Sequence, residues 1–262
     1  MNAIDNIKRL VNPGLNRLVS SIRRPITKAL HASGTHYCPV CESNVRRFLP
    51  FGDPLRANAR CPVCDSLERH RLDWVLFTTQ TDLFSGSHKK MLHIAPEEFV
   101  SARFRRIENL DYLSADLSSP RAMVRMDITN INYPDNSFSV IYCSHVLEHV
   151  PNDRKAIAEL YRVLCPDGWA VLQVPITAER TYEDPTIIEP EERKKHFGQS
   201  DHVRCCGPDY VERMRAAGFA AQIFRATDLL TEADCSRMGF QSDRMIFFCR
   251  KASPNQSLHG TR

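Results

Sequence analysis

Residues 135–152 read DNSFSVIYCSHVLEHVPN. Pro134-Asp135-Asn136 is turn chemistry. The run from Phe138 to Cys143 is short, apolar and rich in β-branched and aromatic residues, which predicts a strand buried on both faces. It ends abruptly in Ser144 and His145. In DRKAIAELYRVLC (153–165), Ile157, Leu160, Tyr161 and Leu164 share one face of an expected helix. PDG (166–168) turns the chain into a second apolar strand, WAVLQVP (169–175). A strand, a crossover helix and another buried strand make the repeating unit of a parallel sheet.

The same alternation extends in both directions. KMLHIA (90–95), DYLSAD (111–116) and MVRMD (123–127) are expected strands upstream. Downstream, the helix PDYVERMRAAGF (208–219) precedes the strands AAQIFRA (220–226) and RMIFFCR (244–250). Further upstream, LERHRLDWVLF (67–77) reads as a helix capped by the Ser66 hydroxyl. These features predict a doubly wound, mostly parallel α/β sheet of the Rossmann-like kind.

The chain has 262 residues, 42% hydrophobic and 25% charged, as expected of a soluble globular protein with one core and a small appended module. No apolar run reaches the roughly 18–20 residues that span a bilayer. Arg17, Arg23 and Arg24 interrupt any signal-peptide core, so a cytoplasmic setting is expected. Residues 1–36 carry six Lys and Arg against Asp5 alone, a net of +5. With +4 for the whole chain, residues 37–262 carry −1, which argues against a polyanion-binding main body. In the arm, Ile4, Ile7, Val11, Leu15, Leu18, Ile22, Ile26 and Leu30 form one apolar stripe. It suits a helix packed on protein, or a peripheral contact of residues 1–30 with an anionic inner membrane face.

Cys38-x-x-Cys41 and Cys61-x-x-Cys64, nineteen residues apart, have the spacing of a two-knuckle zinc ribbon. Four thiolates suit one tetrahedral, structural Zn²⁺, and so short a module lacks a core of its own. Cys143, Cys165, Cys205, Cys206, Cys235 and Cys249 are scattered, as free thiols in a reducing compartment are. Arg46, Arg47, Arg56 and Arg60, between the pairs, suit either a phosphate or RNA contact or a solvated face.

DNSFSVIYCSHVLEHVPN followed by ELYRVLCPDG (159–168) resembles the class I S-adenosylmethionine-dependent methyltransferases of the type-11 group. HFGQSDHVR (196–204) and the cysteine pairs are similar to the bacterial branch that bears an N-terminal ribbon. The resemblance spans residues 37–250 and implies a seven-stranded sheet that binds S-adenosylmethionine at the carboxyl ends of its strands. It implies ribose contacts from Asp116, adenine contacts from Asp127 and Ile128, and a methionyl site beside Ser144 and His145. Alone, Asp116 would equally serve as a turn cap. The family's first turn has an acid and two glycines. Here His93, Ala95 and Glu97 stand at those positions, with Glu97 a candidate partner for the cofactor's ammonium group. The sulfonium cofactor has no pyrophosphate, so it needs less of an anion cradle than a dinucleotide. A degenerate domain that binds no cofactor remains an alternative.

Methyl transfer needs an aligned acceptor and, for a hydroxyl or amine, a proton acceptor. His149 and His202 are the candidate bases, with Glu148, Asp201 and Arg204 to orient them or the substrate. A histidine in such a stretch is also commonly a structural hydrogen-bonding residue. HVLEH (145–149) fits an inverted zinc-protease pattern as well, but that chemistry needs a continuous helix, and Pro151 interrupts it. The expected map is a basic arm (1–36), a zinc ribbon (37–66), a methyltransferase domain (67–250) with a lid insertion (176–206), and a disordered tail (251–262). The expected acceptor is an O or N atom of a small molecule or glycan intermediate. The rivals are RNA methylation, with the ribbon holding RNA, and a non-catalytic scaffold.

Overall fold

The computed structural model describes residues 34–252, so the basic arm and most of the expected tail lie outside the described residues. Two compact units divide them. The first holds residues 34–76 together with 230–242, and the second holds 77–229 and 243–252.

In the first unit, β1 (His36–Cys38) pairs antiparallel with β2 (Ser43–Val45), and β3 (Leu49–Phe51) with β4 (Arg56–Arg60). Strands this short cannot bury a core, and a buried cation organises the unit instead. Arg71 is fully buried and donates to the carbonyls of Asn58, Ala59, Ser66, Met238 and Gly239 at 2.6–3.1 Å. Its guanidinium lies 3.8 Å from the centre of the Phe48 ring, a cation–π contact. Gly239, with φ +72, closes against Phe48, where a Cβ would stand 2.4 Å from Cδ2. This corrects the expected domain map. Residues 230–242, assigned from sequence to the methyltransferase domain, belong with the ribbon because two of their carbonyls accept from Arg71.

The Ser66 hydroxyl, just ahead of the helix Glu68–Gln80, lies 3.3 Å from Cys38 Sγ and 3.1 Å from Cys64 Sγ. His70 Nδ1 accepts from the Leu67 amide at 3.1 Å.

In the second unit the sheet comprises β5 (Lys89–Ile94), β6 (Leu110–Asp116), β7 (Val124–Arg125), β8 (Phe138–Ser144), β9 (Leu164–Gln173), β12 (Ala220–Arg225) and β13 (Met245–Arg250). A separate antiparallel pair, β10 (Tyr182–Glu183) and β11 (Arg204–Cys205), lies within the insertion. The spatial order is β12-β13-β9-β8-β5-β6-β7, or 3-2-1-4-5-7-6 when the sheet strands are counted along the chain and read from the β7 edge. β5 through β9 pair in parallel, and β13 is antiparallel to both β9 and β12. Alternate residues face opposite layers. Leu92, Ile94, Ile141, Cys143, Ala170 and Leu172 join a core with Ile157 and Leu160 from the helix Asp153–Val163. On the other face, His93, Tyr142 and Trp169 meet Phe77 and Phe104.

The order reverses between β5 and β8, the switch point where open α/β sheets bind ligands. Both strands end there in a left-handed residue that is not glycine: Ala95 at φ +51 and His145 at φ +56. Ala95 holds this conformation with its amide bonded to the Ala115 carbonyl, and His145 with its amide bonded to that of Gln173, both at 2.8 Å. The turn thus takes a left-handed conformation without a glycine, and alanine carries the strain.

Two outcomes follow for stability, both read from denaturant midpoints. Ala95→Gly raises stability by about 0.5–1 kcal/mol, because it removes a left-handed alanine at some entropic cost, whereas Ala95→Val lowers it by about 2 kcal/mol. Arg71→Met costs about 3 kcal/mol or more, since it takes the donor from five carbonyls, those of Ala59 and Ser66 in buried residues, and Arg71→Lys restores little because an ammonium lacks the planar fork. Full rescue by lysine would contradict the role given to the guanidinium.

Candidate active site and zinc centre

In each knuckle of the ribbon, a left-handed residue follows the second cysteine: Glu42 at φ +52 and Asp65 at φ +64. These turns aim all four sulfurs inward, and the four cysteines are buried. Cys38 Sγ lies 3.7 Å from Cys64 Sγ, and Cys41 Sγ lies 3.8 Å from Cys61 Sγ. Zn–S bonds of about 2.3 Å at tetrahedral angles place sulfurs about 3.8 Å apart, so the donor set fits a structural zinc ion. Ser66 supplies a hydroxyl to two of the sulfurs, the kind of outer contact that fixes thiolate ligands. Of the four ribbon arginines, Arg56 pairs with Glu68 at 2.6 Å and Arg60 with Asp65 at 3.9 Å. Arg46 and Arg47 are exposed, which leaves a thin basis for a phosphate-binding face.

The expected cofactor residues sort into three groups. Ala95, Ser144 and His145 flank the switch point. Ser144 is buried, and its Oγ has no hydrogen-bond partner among the described residues. An orphaned hydroxyl at a strand end beside two strained residues fits a bound polar ligand. Glu97 caps the helix Glu98–Phe104 by backbone position only, with no side-chain capping bond.

Asp116 ends β6, and Asp127 lies just past β7. Asp116 Oδ1 accepts from the amides of Ser118 and Ser119 at 2.8 and 2.6 Å, so the turn-cap reading of this residue is met by one oxygen of the two. Asp127 Oδ1 accepts from the Thr129 amide and hydroxyl, both at 2.8 Å. Those bonds hold its carboxyl below the usual range, so this exposed side chain is a carboxylate at neutral pH.

Two expectations need correction. His93 is fully buried, its Nδ1 lies 2.8 Å from the Tyr112 hydroxyl, and its ring packs on Phe104 and Tyr142. It belongs to the aromatic layer rather than to a cofactor surface, because period-2 alternation turns it away from the Leu92 and Ile94 side. Ile128 is buried in the core cluster with Met126 and Ile131, so its side chain is spent on packing rather than presented to a ring.

The residues expected to handle the acceptor converge. His145 turns the chain into a single 3₁₀ turn, Leu147–His149, not the continuous helix that a zinc-protease reading requires. Glu148 is 1% exposed, and its Oε1 lies 3.3 Å from His145 Nδ1 and 3.8 Å from His149 Nε2. His149 Nδ1 faces Asp201 Oδ2 and the Asp201 carbonyl, each at 3.3 Å. The His202 ring stands edge-on to His149 with centroids 4.7 Å apart, and its Nδ1 lies 3.2 Å from the Phe197 carbonyl. Burial and the neighbouring His149 push the His202 imidazole below its ordinary value, which keeps it neutral at pH 7.

Arg204 has a different role from the expected one. It is 2% exposed, and its hydrogen bonds and ion pairs go to neither histidine. Its nitrogens reach the carbonyls of Leu147, Val150 and Pro151 at 2.6–3.0 Å and Glu183 Oε2 at 2.9 Å. It therefore positions the Glu148–His149 turn against the 176–206 insertion. The Val203 amide, bonded to the Glu148 carbonyl at 3.0 Å, fastens the same two segments. Asp153 is a residue that sequence reading missed. It is buried and accepts from Tyr210 and Arg213 at 2.6 Å, a partnership between residues some sixty positions apart that no local pattern announces.

Residues 89–172 match the family model described as a methyltransferase domain. No curated protein matches the sequence. Among solved structures, the chain is similar to an S-adenosylmethionine-dependent methyltransferase from Mesorhizobium loti at 13% identity, over 69% of this chain and 98% of that one, with a TM-score of 0.48. It is also similar to the 1,6-didemethyltoxoflavin-N1-methyltransferase of Burkholderia thailandensis, solved with S-adenosylhomocysteine, at 14% identity, 71% and 79% coverage and a TM-score of 0.48. For phosphoethanolamine N-methyltransferase 2 of Haemonchus contortus the values are 13% identity, 70% of this chain, 53% of that one, and 0.46. The matched segment runs from the first sheet strand through the fifth, within the 3-2-1-4-5-7-6 order. Alongside its Cys₄ ribbon, the chain therefore has a segment, residues 89–172, that matches the methyltransferase-domain model and forms the first five strands of a seven-stranded, mostly parallel sheet.

Proposed function

We propose that the protein transfers the methyl group of S-adenosylmethionine to an oxygen or nitrogen of a small-molecule or glycan-type acceptor. The observation that carries this reading is the Glu148–His149–His202 cluster, in which Glu148 and His149 closely follow the strand end at the switch point and His202 joins them from the insertion. Bound there, the cofactor supplies a methyl group on positively charged sulfur. Asp116 Oδ2, the oxygen not used in its turn, would accept from the ribose, and the Asp127 carboxylate from the adenine amino group. The turn at Ala95 and the Ser144 hydroxyl would receive the methionyl portion.

The protein's chemical task at the acceptor is then positioning and removal of one proton. His149 and His202 each have Nδ1 engaged by an oxygen, which leaves Nε2 as the available proton acceptor. Glu148 and Asp201 would stabilise the imidazolium that results. With Glu148 and His202 buried and only His149 partly exposed, the cluster suits a small acceptor better than a nucleic acid. The −1 charge of residues 37–262 and the ion-paired ribbon arginines point the same way.

Two assays on the full-length protein test this reading. Formation of S-adenosylhomocysteine is expected with a protein-free small-molecule extract and not with an RNA fraction of equal mass. The double variant His149→Ala, His202→Ala is expected to lose turnover by about 10²-fold or more while still binding S-adenosylhomocysteine. Turnover with RNA alone would overturn the acceptor class, and full activity in the double variant would remove both bases.

A further inference from the structure

The acceptor cluster poses an electrostatic problem that its protein partners do not solve. A backbone carbonyl can only accept, so the carbonyls of Phe197 and Asp201 place the ring protons on Nδ1 of His202 and His149. Both Nε2 atoms are then lone-pair donors. Glu148 adds a buried carboxylate whose Oε2 has no hydrogen-bond partner among the described residues. Two imidazoles and a carboxylate meet in one place, each with one potential ligand atom within 4.8 Å of the others, and His149 Nε2 lies 3.8 Å from Glu148 Oε1.

We propose that Glu148, His149 and His202 form a site for a divalent first-row transition-metal ion, separate from the zinc of the ribbon. Two histidines and one carboxylate are a recurrent donor set for Zn²⁺ and Fe²⁺, and they leave coordination positions open. Ligands at about 2.1 Å from such an ion lie about 3.0–3.5 Å from one another. Glu148 Oε1 and His149 Nε2 are already at 3.8 Å, so small side-chain rotations close the set. The outer contacts are also those of a metal site: each imidazole has Nδ1 against a carbonyl oxygen, which fixes the tautomer and leaves Nε2 as the ligating atom. Imidazole ligands select against Mg²⁺ and Ca²⁺, which prefer oxygen.

The open positions would take the acceptor's hydroxyl or amine and lower its pKa; with both imidazole Nε2 atoms held by the ion, the released proton passes to solvent water rather than to a histidine. This use of the ion rests on the methyl-transfer reading, whereas metal binding itself is measurable without cofactor or acceptor.

The test uses full-length protein with its ribbon already filled by zinc, titrated with Co²⁺. The expected result is a set of weak visible d–d bands, without thiolate charge transfer, that saturates near one cobalt per chain at micromolar concentration. His149→Gln and His202→Gln are each expected to weaken this binding by 10²-fold or more, with ribbon zinc content and thermal midpoint retained as evidence of folding. Cobalt that appears only with thiolate bands is exchange into the Cys₄ site and overturns the proposal. So does the absence of binding below millimolar Co²⁺ in the unmodified protein, whatever the variants do. Cobalt binding without S-adenosylhomocysteine binding would keep the metal site and strike the methyl-transfer reading, and the reverse result would do the opposite.

Discussion

The candidate site depends on one buried cation. Arg204 sits at 2% exposure beneath the turn that follows β8 and donates to three of its carbonyls, while Glu183 takes a fourth bond. A 3₁₀ turn of three residues cannot satisfy its own carbonyls, and buried carbonyls left without donors are costly. The guanidinium solves this with a planar fork, and because it belongs to the 176–206 insertion, the same bonds seat the insertion on the turn. His202, two residues earlier, is thereby brought edge-on to His149. A lysine could not span these acceptors. Packing, the placement of the insertion and the histidine pair are thus one event.

The first turn of the sheet shows how the cofactor surface survives without glycine. A left-handed residue is needed where β5 ends, since the Ala95 amide must reach the Ala115 carbonyl before the chain turns into the helix Glu98–Phe104. Alanine can adopt φ +51 at a modest cost, whereas a β-branched residue could not. His145 bears a similar cost at the neighbouring strand end. Strain of this sort persists only where surrounding bonds over-determine it, and here both instances lie at the switch point.

Much of this was legible in the sequence, for reasons that are local. Apolar runs bounded by turn residues announced the strands, and helical periodicity announced Asp153–Val163. The CxxC pairs announced the metal ribbon because short-range spacing dictates their geometry. What escaped was set by partners distant in sequence. Nothing around Arg71 says that it will bind Met238 and Gly239, so the membership of 230–242 in the ribbon unit was invisible. Ser66 had the composition of a helix cap, but its contacts with two sulfurs join residues distant in sequence and were not announced. His93 occupied a motif position of the family, yet strand alternation turned it into the aromatic layer. Arg204 stood in a motif beside His202 and read as catalytic, although its bonds are with three backbone carbonyls and the Glu183 carboxylate.

The central claim is that the glycine-poor strand ends still form an S-adenosylmethionine site. Calorimetric titration of S-adenosylhomocysteine into zinc-loaded protein, with Asp116→Ala in parallel, tests it most directly. The account predicts one site per chain with micromolar affinity, weakened by at least about 10-fold in the variant, in keeping with the loss of a charged hydrogen bond. Absence of binding to the folded, zinc-loaded protein would contradict it and leave the sheet as a scaffold.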